Sequence, residues 1–292
     1  MFYTERNYTT DFPYTDLACE RRKVDTSLKG VDYKKERGIV GEWERIRIIS
    51  EEGAKSIGRP RGIYDTLEIG RMDLLDTEAI DDASDEIARE LCYMCDINGI
   101  LPEKVLVVGL GNPELTPDAI GPETARGVKA TMHIRDYDEA FFRELECSEI
   151  AVLTPGVAAN SGIDAADCIK GVCSVMNPDI VLAVDALASR STERLGTTVQ
   201  ICDTGILPGS GIGTKRGAIS RESIGVPVVA IGVPTVIDSR MFWLDAAGCA
   251  EGEIGKCRGE AMFVSPKEIN EIVKIGGKII SGGINQAFGL YY

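Results

Sequence analysis

The stretch "DIVLAVDA", residues 179–186, sets five apolar residues in a row directly before a carboxylate, Asp185. An unbroken apolar run of this length reads as a strand covered on both faces, since a strand with one solvated face would alternate. Four further runs have the same character: "KVLVVGLGN" (104–112), "IAVLTPG" (150–156), "TTVQICDTG" (197–205) and "VPVVAIGVP" (226–234). Each ends in Gly, Pro or Asp, and the intervals between them are long enough for crossover helices. The pattern predicts an α/β fold, a mostly parallel central sheet with helices on both faces. Two long helices are expected beside it. "TEAIDDASDEIARELCYMC" (77–95) brings Ile80, Ala83, Ile87, Leu91 and Met94 onto one face, with acidic residues in its first turns. "SPKEINEIVKIGGKIISGGINQAF" (265–288) starts at Ser265-Pro266 and Glu268 and is weakened by paired glycines. Residues 17–75, rich in Arg, Lys, Glu and Tyr without a long apolar run, read as a less regular N-terminal subregion.

The chain of 292 residues is long enough for a substantial core, and its 44% hydrophobic and 27% charged residues are those of a soluble globular protein. No apolar run is long enough to span a membrane, and the N-terminus has charges and prolines where a signal peptide needs an apolar run. A cytoplasmic protein with no membrane partner is expected. Nine cysteines, an odd number at irregular spacing, argue against a disulfide framework. Cys92 and Cys95 form a CxxC inside the helical pattern; Cys249 and Cys257 are too widely spaced to complete a zinc site, so reduced buried thiols are expected. The net charge of −14 repels phosphate backbones and disfavours direct nucleic-acid binding. His133 is the only histidine, no GxSxG accompanies it, and it is read as structural.

Ligands of open α/β sheets bind beyond the carboxyl ends of the strands, and Asp is the functional group that recurs there. "VVGLGNPELTPDAIGP" (107–122) resembles a dinucleotide loop but places Glu114 where the third glycine belongs, with Pro113 and Pro117 disturbing the helix start. Its glycines are read as shaping a loop that delivers Asp118 to the sheet edge. Asp185 has two open readings. One is a partly buried carboxyl that shares a proton with a second and works as base or acid on water. The other is an N-cap for a helix over "ALASRSTER". The Gly-rich "GILPGSGIGTKRG" (205–217) is either an anion-binding loop, through backbone N–H groups with Lys215 and Arg216, or an ordinary surface loop. "ICDTG" (201–205) carries the triplet of pepsin-like proteases, but those need two triplets in an all-β chain. Asp203 therefore ranks third, as support that lines the cleft or fixes the Gly-rich loop.

Taken together, "GLGNPELTPDAIGP", "PGVAANSG", "PDIVLAVDALASRS", "TTVQICDTGILPGSGIGTKR", "GVPVVAIGVPTVID" and "MFVSPKEI" resemble the germination proteases of spore-forming bacteria, from about residue 10 to the C-terminus. The resemblance implies an endopeptidase acting on small acid-soluble spore proteins in the spore core. It implies a fold related to the hydrogenase maturation endopeptidases, a homotetramer, no obligatory metal or other cofactor, and catalytic aspartates at Asp118 and Asp185. It also implies a self-processing zymogen cut after an acidic residue and before an apolar residue followed by Ala. "YTDLACE" fits at Asp16–Leu17, with residues 1–16 as propeptide and 17–292 as peptidase domain. One departure is Pro13, where the family prefers an acidic residue. Acidic cleavage sites need cationic recognition, for which Arg190 and Arg194, on the helix expected after Asp185, and Lys215 and Arg216 are candidates; ordinary surface charge is the alternative. Two rival functions remain open: a metal-dependent maturation endopeptidase, and a nucleotide-binding α/β module without proteolytic activity.

Overall fold

A computed structural model describes residues 15–20, 28–209, 217–248 and 262–289. The strands are β1 (Val31–Arg37), β2 (Glu42–Ile48), β3 (Gly62–Glu68), β4 (Lys104–Gly109), β5 (Glu149–Leu153), β6 (Ile180–Ser189), β7 (Thr198–Cys202), β8 (Val228–Asp238) and β9 (Phe263–Val264). They form one sheet of order β1-β2-β3-β7-β8-β6-β4-β5, with β9 paired to the far end of β8. The helices are α1 (Glu51–Ile57), α2 (Thr77–Ile97), α3 (Ile120–Gly127), α4 (Met132–Tyr137), α5 (Glu139–Glu144), α6 (Ala158–Ser161), α7 (Ala165–Met176), α8 (Arg221–Ile224), α9 (Ser239–Ala247) and α10 (Ile269–Phe288).

The five apolar runs are all strands, but the sheet is mixed rather than mostly parallel. Only the pairs β4–β5, β4–β6 and β6–β8 are parallel. β7 turns back against β8, and through β3 it recruits the antiparallel strands β2 and β1. The interval between β6 and β7 holds only a 3-10 turn, Thr192–Arg194, too short for a crossover helix, so β7 can pair only as an antiparallel neighbour. The segment read as less regular thus supplies three strands of the main sheet. Its period-2 signal is masked because β2, "EWERIRI", buries Glu44 on one face and half-buries Arg45 and Arg47 on the other.

Helices cover both faces. On one, which we call the α2 face, Ile87, Leu91 and Met94 of α2 and Ile279, Ile280 and Ile284 of α10 pack on Val107, Leu182, Val184 and Ile231. The glycines of α10 let it approach its neighbours closely: a Cβ at Gly283 would lie 2.6 Å from Ile87 Cγ2, and one at Gly277 2.8 Å from Glu123 Cγ. On the other, the α7 face, Ile169, Cys173 and Met176 of α7 and Ile224 of α8 pack on Leu106, Val108, Val181 and Ala183. Beyond β8, Ala18, Ile57 and Tyr64 continue this layer over β2 and β3. Among the described residues no helix is long and apolar enough to cross a membrane.

Candidate active site

Strand order and chain direction locate a crevice. After β4 the chain crosses to β5 on one side, whereas β6 lies on the other and leads on to β7 and β8. Connections therefore diverge between β4 and β6, which is the switch point where open α/β sheets bind ligands. β4 ends at Gly109, opposite Val184, but β6 continues for five residues, from Asp185 to Ser189. The helix read over "ALASRSTER" does not form. These residues stay in the strand because β8 runs on beside them to Asp238, so pairing outweighs the helix propensity of Ala and Leu. The N-cap reading of Asp185 falls with it.

The two aspartates reach this crevice by different routes. Asp118 ends a 3-10 turn, Thr116–Asp118, placed just past β4 and packed against β6 and β8. Thr235 anchors the turn by donating to the Pro117 carbonyl at 2.6 Å. Asn112 donates its backbone N–H to Asp118 Oδ2 at 2.9 Å and to the Asp118 carbonyl at 3.1 Å, closing the loop on itself. Gly111 has φ 110°, and a Cβ there would lie 2.0 Å from the Asp118 carbonyl oxygen, so the loop requires glycine. Gly121 has a similar role: a Cβ would lie 2.2 Å from the Leu110 carbonyl and 2.5 Å from the Val184 carbonyl, which lets α3 sit directly on the ends of β4 and β6. These are the functions of glycine in a loop that delivers Asp118. Asp185 is buried in β6, accepting from the Ala186 N–H at 2.9 Å, and strand alternation turns it to the α7 face with Val181 and Ala183.

Register places a row of polar residues abreast of Asp185. Asp185 pairs with Gly232 of β8, Gly232 with Gln200 of β7, Gln200 with Thr66 of β3, and Thr66 with Glu44 of β2. All lie on one face, and Gly232 contributes no side chain. Leu187 fills the space above it, its Cδ1 2.5 Å from where a Cβ would be. With strands ~4.8 Å apart, Asp185 and Gln200 are about 10 Å apart at the backbone.

Residues 15–20 lie across this row. The Asp16 N–H donates to the Ala188 carbonyl at 2.8 Å, and Ala188 returns its N–H to Asp16 Oδ2 at 2.8 Å. The Asp16 carbonyl accepts from the Arg59 guanidinium and from Gln200 Nε2. Leu17 is wholly buried. The Ala18 N–H donates to Gln200 Oε1 at 2.8 Å. Glu20 then anchors the segment, its carboxylate accepting from Ser189 Oγ at 2.9 Å, Arg190 N at 2.7 Å and Ser191 N at 3.0 Å.

The remaining site residues separate. Because β7 is antiparallel, its end lies away from the carboxyl ends of β4 and β6, so Asp203 does not line the crevice. Its carboxylate accepts from the Ile63 N–H at 2.7 Å and from Asn98 Nδ2 at 3.4 Å, fixing the start of β3 to the end of α2. Arg190 follows a strand and not a helix; besides its N–H, its guanidinium donates to the Glu20 carbonyl at 3.4 Å. Arg194 pairs with Glu44. Lys215, Arg216, Cys249 and Cys257 lie outside the described residues. His133 is exposed on α4. Cys92 is exposed rather than buried, whereas burial pushes the Cys95 thiol up to about 12. Among the described residues no three His, Cys, Asp or Glu side chains gather as a metal site. Gln200, Arg59 and Glu20 were not visible as site residues. Gln200 alone left a trace, as an amide inside an apolar strand run.

Residues 14–257 match the family model of the germination proteases. The germination protease of Caldanaerobacter subterraneus subsp. tengcongensis is 36% identical, over 94% of this chain and 93% of its own. That of Clostridium perfringens is 34% identical over 94% of each. That of Priestia megaterium is 39% identical over 77% of this chain and 63% of its own. Among solved structures, a [NiFe] hydrogenase maturation protease, HycI, from Thermococcus kodakarensis KOD1 aligns at 17% identity over 67% of this chain and 99% of that one, with a TM-score of 0.37. The two long matches at over 30% identity and the family model agree, and the chain belongs to the germination protease family.

Proposed function

We propose that this protein is a self-processing zymogen which, once cut at Asp16–Leu17, initiates degradation of small acid-soluble spore proteins during germination. Asp118 and Asp185 act on water, one carboxyl taking a proton from it while the other protonates the departing amine. Residues 1–16 are the propeptide, and cleavage follows Glu or Asp and precedes an apolar residue. The enzyme works in the spore core as a homotetramer, and Arg190, Lys215 and Arg216 contribute cationic contacts to acidic substrates. The observation that carries the reading is the position of the Asp16–Leu17 junction, which is held against β6 three residues beyond Asp185. A peptide carbonyl and a buried carboxyl on one face of the sheet, the carboxyl at a switch-point crevice, are elements that hydrolysis needs. A protease directed at proteins the dormant spore requires has a physical reason to be made inactive.

Mass spectrometry of the full chain over time tests this. Loss of residues 1–16 is expected from the wild type and from neither D118N nor D185N, with both variants retaining the wild-type circular dichroism and melting temperature. Near-normal processing in either variant would overturn the aspartate pair.

A further inference from the structure

The hydrogen bonds around the Asp16 carbonyl carry a second reading, which rests on the proposed cut at Asp16–Leu17. We infer that Arg59 and Gln200 form the electrophilic site for the bond that is cut, holding the carbonyl oxygen on which negative charge develops.

Both groups donate to that one oxygen: the guanidinium through Nη2, and the amide through Nε2 at 3.3 Å. Gln200 also accepts from the Ala18 N–H through its Oε1, so a single buried amide bridges the carbonyl before the junction and the N–H after Leu17. This fixes the peptide on both sides of Leu17, as a strand neighbour would, and it fixes which way the amide faces. Among the described residues the Nε of Arg59 is buried without a hydrogen-bond partner. An arginine that leaves one donor desolvated in order to present another to a neutral carbonyl is placed for charge that appears only later. A cavity of about 30 Å³ lies between Asp16, Arg59, Gln200 and Gly232. It exceeds the roughly 10–15 Å³ that one water molecule needs.

The chemistry balances without any further reactant. The oxygen of a water molecule bonds to the Asp16 carbonyl carbon, and the carbonyl oxygen takes the negative charge toward Arg59 and Gln200. The C–N bond to Leu17 then breaks. One water proton passes to a carboxyl of the aspartate pair and one proton reaches the Leu17 nitrogen, giving a carboxylic acid and an amine. Donors aimed at an oxyanion in a water-poor site each contribute on the order of 10²–10³-fold in rate. Substrate proteins would use the same two donors once residues 1–16 have left.

The test measures self-cleavage rates of R59A and Q200A, with R59K as the conservative form and melting temperatures measured in parallel. An acidic peptide substrate is then given to enzyme already processed, separating kcat from KM. The expected result is a loss of about 10²-fold in cleavage for R59A, carried by kcat, with partial recovery in R59K and on adding guanidinium ion to R59A. Q200A should lose a smaller factor, because its N–H···O distance is longer. Wild-type kcat in a folded R59A, or a loss that neither lysine nor guanidinium repairs, overturns the assignment of Arg59. Arg59 is half-exposed, so R59A is expected to fold even if Q200A does not. A wild-type chain that is cut elsewhere than at Asp16–Leu17 overturns the underlying function reading instead, and the mass of the released peptide distinguishes the two failures.

Discussion

Two buried acidic sites lie on opposite faces of the same sheet and are built on opposite plans. On the α2 face, Asp65 of β3 and Glu90 of α2 share Arg45 of β2, at 2.7 Å and 2.8 Å. Arg45 also bonds Glu36 at 2.7 Å and stacks over Trp43, 4.8 Å from the ring centre, while Arg47 reaches Asp65 at 3.3 Å. Every partner is a fixed part of a strand or helix. On the α7 face, Gln200, Arg59 and the part of β6 just beyond Asp185 meet a segment, residues 15–20, that belongs to no strand of the sheet. Burial alone therefore does not distinguish architecture from chemistry. A buried carboxyl enclosed by permanent cations holds elements together, whereas one abreast of groups that bind a peptide backbone is available to act on it.

The contrast can be broken at three points. The largest effect is expected from R45A, which leaves Asp65 and Glu90 facing each other without their shared cation. Removing one partner from such a cluster costs about 3–5 kcal/mol, read as a lower midpoint in urea unfolding, while the folded fraction still cleaves at the wild-type rate. A stable R45A with slow cleavage would place this cluster on the functional side.

An intermediate effect concerns pH. Burial, reinforced by neighbouring Asp65 and opposed by Arg45, pushes the Glu90 carboxyl up to about 8. Among the described residues its Oε1 is buried without a donor, and protonation gives it a hydrogen to share with Asp65. The folded state holds this proton when the unfolded chain has released it, so stability should fall as pH rises from about 4.5 to about 8 and level off above. E90Q, always neutral, should lack that slope; an unchanged slope in urea titrations across this window would show that Glu90 is not its source. The smallest effect is expected from D203A, which removes the acceptor for the Ile63 N–H at a cost of about 1 kcal/mol and leaves self-cleavage intact. A large catalytic loss in D203A would return the "DTG" triplet to the active site.

The same contrast explains what could be read in advance. The parallel strands were legible because both their faces are apolar, and α2 because its stripe repeats at helical spacing. β1–β3 were not, since the arginines and acids of their inner face look like solvent-facing charge until α2 brings Glu90 to Arg45 and Glu86 to the Trp43 indole. Continuation of β6 past Asp185 depended on β8, which no local signal in "ALAS" announces. The resemblance pointed to Asp118 and Asp185 through their motifs. Arg59 and Gln200 were illegible because they come together only through register across β3, β7 and β8, from positions 141 residues apart in the chain.

Leu17 has no solvent exposure, and this gives the proposed cut a direction. Breaking the bond before it would turn a neutral amide into an ammonium at the same buried point, opposite a new carboxylate at Asp16. Holding such an ion away from water costs several kcal/mol. The intact arrangement therefore would not survive the cut unchanged: Arg59 and Gln200 can hold the new Asp16 carboxylate, but the Leu17 ammonium would be drawn outward by its own hydration, and the row from Asp185 to Glu44 would open behind it. Self-processing on this plan works as a ratchet, in which hydration of the new ammonium prevents religation and clears the groove for the next chain.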